Sequence, residues 1–352
     1  MTDSTPRFTT PFGSMNTVQF AFIAVSVLAL LTAPFWSAML PSHLALMQAL
    51  TLACIWAIFA MGWDIQSGYT GYISFGHSVL SGAAGYTTAM LIYNVDPNMS
   101  LWITIPLSVV MTVLIGLVIA LPSLRLRGPY FSLITFAAVL VFYRMLRPLS
   151  EYTGGETGIS RNIYTYGSDT TILGFELFYY EVRYYIALVP MLLVALGLLY
   201  ISRSNNGMVF KAIRENESAV EAAGLDATKF KIWSFAVSSV PMGIGGVLLV
   251  HRFGTVNPEL FVIVDNSIEM IAMAVLGGIG SILGPVAGAF FFIVANDYVL
   301  PGVGNVLPII DFGTTTRYAV LWTLVLLVLV FARDGLGRKL WNWLGRLGGD
   351  DR

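Results

Sequence analysis

The residues best placed for chemistry fall in three stretches. The first, SGYTGYISFGHSVLSGAAGY from Ser67 to Tyr86, sets Tyr69, Tyr72, Ser74, His77 and Ser78 beside Gly68, Gly71 and Gly76. The second, LGGIGSILGPVAGAF from Leu276 to Phe290, sets Gly277, Gly278, Gly280, Gly284 and Gly288 around Ser281 and Pro285. Glycine and proline interrupt helices and free backbone groups, so both stretches offer hydroxyls and carbonyls, without fixed charge, to a polar solute. Weak contacts of that kind suit passage rather than capture. Two Gly-interrupted segments in two halves of a membrane chain point to a solute path; chance likeness between Gly-rich helices is the other reading. The four-residue spacing of Gly280, Gly284 and Gly288 also lets a second backbone approach closely, which as packing alone needs no function.

The third stretch is GMVFKAIRENESAVEAAGLDATKFK, residues 207–231. Phe210, Ile213, Val220 and Ala223 share one face at helical spacing, leaving Lys211, Arg214, Glu215 and Glu221 on wetter sides. Gly224 is placed to stop this helix and Asp226 to cap the next. A short helix with one apolar face fits a groove on a partner protein or lies on a lipid surface, and both readings are open here.

Single residues say less. His77 in an apolar setting is a functional candidate, or a histidine satisfied by one hydrogen bond inside a bundle. Asp64, Glu269 and Asp297 stand at the ends of apolar runs, where they are expected to face headgroups or water. The central span positions then hold no carboxylate of the kind an ion-coupled carrier uses as a relay. No GxxxxGK[ST] loop is present, so any ATP must be hydrolysed by a partner. With no GxSxG, no HExxH, one cysteine and three scattered histidines, neither catalysis nor a metal or cofactor site is expected. Cys54, inside an apolar run, reads as a small core residue.

The elements that position these stretches follow from composition. Of 352 residues, 56% are hydrophobic and 11% charged, against about a quarter charged in a soluble domain. No Asp, Glu, Lys or Arg occurs between Arg7 and Asp64, between Asp64 and Asp96, or between Asp96 and Arg125. Roughly 20 apolar residues cross a bilayer as a helix, and no period-2 alternation suggests a barrel. A net charge of −1 leaves no footprint for nucleic acid.

The apolar runs predict spans at 17–39, 44–62, 75–93, 101–121, 129–146, 184–201 and 232–250, with a further one near 316–332. The first is read as an uncleaved span rather than a signal peptide. Basic loops favour the cytoplasm. That places the loop 203–231 and the tail 333–352 on the same side, so the stretch 268–299 must cross twice or re-enter and return. The same parity puts both termini and the Arg125–Arg127 turn inside and the segment 147–183 outside. The expectation is an all-α, polytopic transmembrane bundle of about eight to ten spans, a single domain over 1–352, with Gly-broken helices and two inverted-type repeats.

Five segments, in order, resemble one family: GYTGYISFGH, LRLRGPYFSLITFA, TGGETGIS, KAIRENESAVEAAGLDATKFKIWSFAVS and SIEMIAMAVLGGIGSILGPVAGAF. Together they are similar to the LivM-type permeases of branched-chain amino acid ABC importers, and they cover most of the chain from Ile55 to Phe292. The resemblance implies a type II importer-like fold in the inner or plasma membrane and a small solute, either a branched-chain or other amino acid. Urea and short-chain amide permeases share the architecture, and an ion-coupled carrier is the alternative of a different class.

As partners the resemblance implies a second, LivH-like permease, two cassette ATPases, an extracytoplasmic solute-binding protein and membrane lipid. It assigns the segment Lys211 to Gly224 to ATPase coupling, with Lys211, Ile213, Arg214, Glu215, Asn216, Glu217, Val220, Glu221, Ala222 and Gly224 as contact residues. Here Glu221, Ala222 and Ala223 run directly into Gly224, whereas the general importer signature places three residues between EAA and glycine.

Overall fold

A computed structural model describes residues 8–10, 13–15, 17–97, 99–126, 128–160, 170–172, 175–177, 179–306, 313–331 and 335–347. Arg7, Arg127, parts of the segment 147–183 (161–169, 173–174 and 178), Arg333 and the tail residues 348–352 lie outside them.

The first half holds α1 (Thr17–Leu31), α2 (Ala33–Ser37), α3 (His43–Trp63), α4 (His77–Asn94), α5 (Leu101–Ser123), α6 (Pro129–Met145) and α7 (Ser150–Thr153). The second holds α8 (Tyr179–Arg203), α9 (Asn205–Ala222), α10 (Ala227–Phe253), α11 (Pro258–Phe261), α12 (Val264–Gly277), α13 (Leu283–Val294) and α14 (Leu300–Val306). It ends with α15 (Thr314–Phe331) and α16 (Leu336–Leu347), and π-helical turns at Asp64–Gly68 and Ala295–Val299 extend α3 and α13. The helices are accompanied by two antiparallel ribbons, β1 (Phe8–Thr10) with β2 (Gly13–Met15) and β3 (Thr170–Ile172) with β4 (Phe175–Leu177).

Among the described residues, six helices are long and apolar enough to cross a membrane: His43–Gly68, Leu101–Ser123, Tyr179–Arg203, Ala227–Phe253, Pro258–Gly277 and Leu283–Val303. Three shorter apolar helices, Thr17–Leu31, Pro129–Met145 and Thr315–Phe331, accompany them. The stretch 268–299, expected to cross twice or to re-enter and return, holds most of α12 and all of α13, packed on each other around the break between them.

At the centre stand α3 and α10, mostly apolar or small and buried on most sides. Around them the usual inside–outside pattern is reversed, because lipid solvates large apolar side chains as well as the interior does. On α5 the buried stripe is Thr104, Ser108, Thr112, Gly116 and Ala120, spaced by four, while Trp102, Leu114 and Val118 are exposed. The small stripe lets α5 press against α10 and α4. A methyl at Gly116 would come within 2.4 Å of Ser239 Oγ, and one at Gly243 within 2.8 Å of the Val109 Cα. Thr112 donates to the Ser108 carbonyl at 2.7 Å and Thr88 shares a 2.8 Å bond with Ser108 Oγ, whereas Thr104 Oγ1 has no hydrogen-bond partner among the described residues.

Side-chain contacts fix the relative direction of the helices. Ser42 at the head of α3 meets Tyr298 beyond the end of α13 at 2.8 Å, so α3 runs antiparallel to α13 and parallel to α12. The ends of α3 and α12 therefore lie at one level. Gln19 at the start of α1 donates to the Trp341 carbonyl of α16 at 3.3 Å, and Gly335 and Gly337 pack against Gly278 and Gly277. The described parts of both terminal regions thus gather at that same level.

Candidate functional site

The non-helical stretch after α3 owes its shape to local donors and acceptors. Gly71, at φ +78°, opens it. A backbone leaving a helix inside a bundle must have its polar groups met by protein. Trp63 Nε1 donates to the Ser74 carbonyl at 2.8 Å and Gln66 Nε2 to that of Tyr72 at 3.1 Å. Ser132 Oγ donates to the Ile73 carbonyl at 2.6 Å and Ser267 Oγ to that of Phe75 at 2.6 Å. The Ser74 N–H is received by Ser67 Oγ and the Phe75 N–H by Thr135 Oγ1, each at 3.1 Å.

The hydroxyls of Ser67, Thr135, Ser132 and Ser267 thus hold the break in place, and Ser74 Oγ accepts the Gly76 N–H at 3.1 Å. Tyr69, Ser74, Gly76 and His77 are buried; Gly71 and Ile73 are exposed and Tyr72 is half-buried. His77 is the bundle histidine with one hydrogen bond, Nε2 to Ser238 Oγ at 3.3 Å. Its Nδ1 and the neighbouring Ser78 Oγ have no hydrogen-bond partner among the described residues.

The second break runs through Gly278 (φ 110°), Gly280 (φ +79°) and Ile282 (φ 55°). Ser281 Oγ donates to the Gly278 carbonyl at 2.7 Å and accepts the Gly284 N–H at 3.1 Å, tying the loop to the first turn of α13. Pro285 in that turn costs no helical hydrogen bond. The glycine spacing brings α13 onto α12: a methyl at Gly288 would lie 1.9 Å from the Met273 carbonyl oxygen, and one at Gly284 2.6 Å from that of Gly277.

The two breaks touch through a residue that sequence reasoning set aside. Asp64 was expected to face headgroups or water, yet it is fully buried. Its Oδ1 accepts the Gly280 N–H at 2.6 Å, and its Oδ2 accepts the N–H groups of Ser281 and Ile282, each at 3.1 Å. Three successive backbone N–H groups around a loop with positive φ form an anion nest, which the Asp64 carboxylate fills. Glu269, set aside on the same grounds, is half-buried and hydrogen-bonded to Tyr318. Asp297 is also half-buried and accepts from Asn296 Nδ2 at 2.8 Å.

Across the first break lies α9. Ser204 caps it, and Asn216, extended at φ −161° and ψ 98°, splits it into two short helices while its Oδ1 accepts the Ala219 N–H at 3.1 Å. Gly224 (φ +85°) ends it as expected, with the Leu225 N–H bonded to the Val220 carbonyl and the Gly224 N–H to that of Glu221. Asp226 caps α10 by accepting the Lys229 N–H at 3.0 Å.

Residues of α9 contact the end of the π-helical turn and the break that follows it. Lys211 Nζ stands 5.1 Å from the centre of the Tyr69 ring, and Arg214 Nη1 donates to the Gly68 carbonyl at 2.6 Å. Glu217 accepts from the Tyr72 hydroxyl and from Lys231 Nζ, the latter at 2.9 Å. Gly71 is needed here, because a methyl would stand 3.2 Å from Arg214 Cγ with φ already in the left-handed region.

The apolar face of α9, expected to point at a partner, is turned the other way. Phe210 is buried in the main core, and Ile213 and Val220 pack with Ala227 against Tyr72, Val209 and Phe230. Lys211, Glu215, Asn216, Glu221, Ala222 and Gly224 remain on the exposed side.

A bundle of apolar helices with two mutually clasped breaks and an amphipathic helix laid across one of them defines a polytopic membrane transport protein. The chain belongs to the family described as branched-chain amino acid transport system / permease component, whose model matches residues 45–331. It is 29% identical to the high-affinity branched-chain amino acid transport system permease protein LivM of Escherichia coli, over 84% of this chain and 72% of that one. The LivM protein of Salmonella typhimurium is 28% identical over the same shares. The corresponding BraD protein of Pseudomonas aeruginosa is 27% identical over 83% of this chain and 95% of its own. No solved structure matches the chain closely enough to count as a relative.

Proposed function

We propose that this chain is the membrane-spanning permease subunit of an ATP-driven importer for branched-chain amino acids, working beside a second, LivH-like permease. Two cassette ATPases on the cytoplasmic side drive it, and an extracytoplasmic solute-binding protein delivers the solute. The observation that carries this reading is the register of α9 on the first break: Lys211 on Tyr69, Arg214 on Gly68, Glu217 on Tyr72. A helix that only lay on lipid would have no need of such contacts.

The ATPase meets the exposed side of α9, through Lys211, Glu215, Glu221, Ala222 and Gly224. Arg214 and Glu217 pass its displacement inward, while Ile213 and Val220 hold it to the bundle. The solute passes beside the breaks, meeting Gly71, Tyr72, Gly280 and Ser281, with Gly68, Tyr69, Ser74, Gly76, His77, Gly277, Gly278, Gly284 and Pro285 shaping the wall behind. Both termini and the loop 203–231 face the cytoplasm and the segment 147–183 faces outward, as the distribution of basic residues favours.

An ion-coupled carrier is disfavoured by Asp64, whose oxygens already accept three backbone N–H groups and are not offered to a travelling ion. The test is uptake by proteoliposomes containing the assembled complex with ATP inside and binding protein outside. Labelled leucine should accumulate and be displaced by isoleucine and valine. Accumulation of urea in place of leucine would move the subunit to the amide branch.

A further inference from the structure

We infer that Asp64 is the positioning residue that makes the two broken segments move as one body with α9, so that ATP hydrolysis without Asp64 no longer moves solute. This rests on the importer reading above and specifies how that site is driven.

The π-helical turn Asp64–Gly68 sets the geometry. An extra residue in a turn rotates the side chains that follow, and here Asp64 is directed sideways into the second break rather than along α3. Gly68 makes the approach possible, since a methyl there would lie 2.0 Å from Asp64 Oδ1 and 3.0 Å from the Gly280 nitrogen. A buried carboxylate is costly unless fully hydrogen-bonded, and the nest of Gly280, Ser281 and Ile282 supplies those bonds.

In return, Asp64 holds a loop that would not keep this shape alone. Ile282 sits at φ 55°, a conformation that costs a β-branched residue free energy and persists only where its surroundings enforce it. The clasp is continuous with α9. Arg214 Nη1, which donates to the Gly68 carbonyl, stands 2.8 Å from where a methyl on Gly280 would be. One guanidinium therefore sits at the seam of both segments and brings positive charge to the clasp. A displacement of α9 reaches Gly68 through Arg214 and reaches Gly280 to Ile282 through Asp64. With Asp64 gone, the first segment keeps its tie to α12 through Ser267 but loses its hold on the loop Gly280 to Ile282.

The experiment uses the complete complex in proteoliposomes, reading ATP hydrolysis and leucine uptake in the same preparation. The wild type must first show ATP-driven uptake; if it does not, the importer reading fails and Asp64 is not at issue. Asp64→Asn, which keeps the side-chain size and turns an amide toward the nest, should lower uptake per ATP hydrolysed by about tenfold, in the usual range for coupling between sites. Hydrolysis, carried out in other subunits, should persist.

A second readout separates linkage from folding. A cysteine at Ser281, in a chain whose Cys54 is replaced by Ala, should react with a maleimide about tenfold faster when Asp64→Asn is added, as expected of a loop released from its clasp. If Asp64→Asn prevents assembly, Arg214→Gln carries the same pair of measurements from the edge of the bundle. An unchanged ratio of uptake to hydrolysis would overturn the proposal. So would equal loss of both activities with unchanged labelling.

Discussion

Lys231 on α10, only 2% exposed, holds its Nζ 2.9 Å from Glu217 Oε1 on α9. The Tyr72 hydroxyl donates to the same carboxylate and receives Lys231 Nζ at 3.3 Å. Three elements, α9, α10 and the first break, are joined at this one pair, whose lysine is buried and whose glutamate is half-buried. Removing one partner of such a pair leaves an uncompensated charge and costs about 3–5 kcal/mol, whereas replacing both by apolar groups is close to neutral. Lys231→Ala should therefore lower the thermal midpoint of the purified protein sharply. The double variant Lys231→Met with Glu217→Leu should recover most of it, without restoring solute uptake.

The helix contacts that need glycine can be told from those that do not. At Gly243 a methyl meets the backbone of α5, so Gly243→Leu should cost about 1–3 kcal/mol by overpacking and separate α5 from α10. Gly197 on α8 has nothing within 4 Å of its missing Cβ. Gly197→Ala should raise stability by about 0.5–1 kcal/mol through helix propensity. Thermal unfolding in one detergent checks both.

The direction in which α9 faces sets a third expectation. Aspartate at Ile213 or Val220 would place a charge in the small cluster with Ala227, Tyr72 and Phe230. It should loosen α9 by about 3 kcal/mol or more, as an unpaired buried charge does, and expose it to limited proteolysis even without partner subunits. Ala222→Arg, at an exposed position, should leave the protease pattern unchanged and weaken association with the ATPases. Loss of association in Ile213→Asp with its protease resistance intact would show that the apolar face, not the polar one, meets the partner.

The tail helix rests on the second break through glycine. A methyl at Gly337 would lie 2.3 Å from the Gly277 carbonyl oxygen, so Gly337→Val should release α16. Cleavage between α15 and α16 should speed up while the bundle's stability changes by less than about 1 kcal/mol, as expected for a peripheral element.

What could be read in the sequence was what local chemistry determines. Gly224 as the stop of α9, Asp226 as the cap of α10 and the interruption of the apolar run around Gly277 to Gly288 all follow from residue type and spacing. The role of Asp64 does not, because its three donors lie 216 to 218 residues away, and a carboxylate at the end of an apolar run looks like one facing water. Glu217 was assigned to an ATPase contact, and nothing local marked it as the partner of Lys231 on α10. The face of α9 was identified as apolar, but periodicity says only that a stripe will be buried, not against which body. Tyr69, Tyr72, Ser74 and Ser78 were read as solute contacts, although hydroxyls serve a passing solute and an interrupted helix equally well.

The most direct test of an ATP-driven permease compares two preparations in lipid vesicles. One holds this chain with its sister permease, ATPases and binding protein; the other holds this chain alone under a proton or sodium gradient. Leucine should accumulate only in the first, only with ATP inside, and the gradient should move nothing in the second. Solute uptake by the chain alone would contradict the assignment and make it a carrier in its own right.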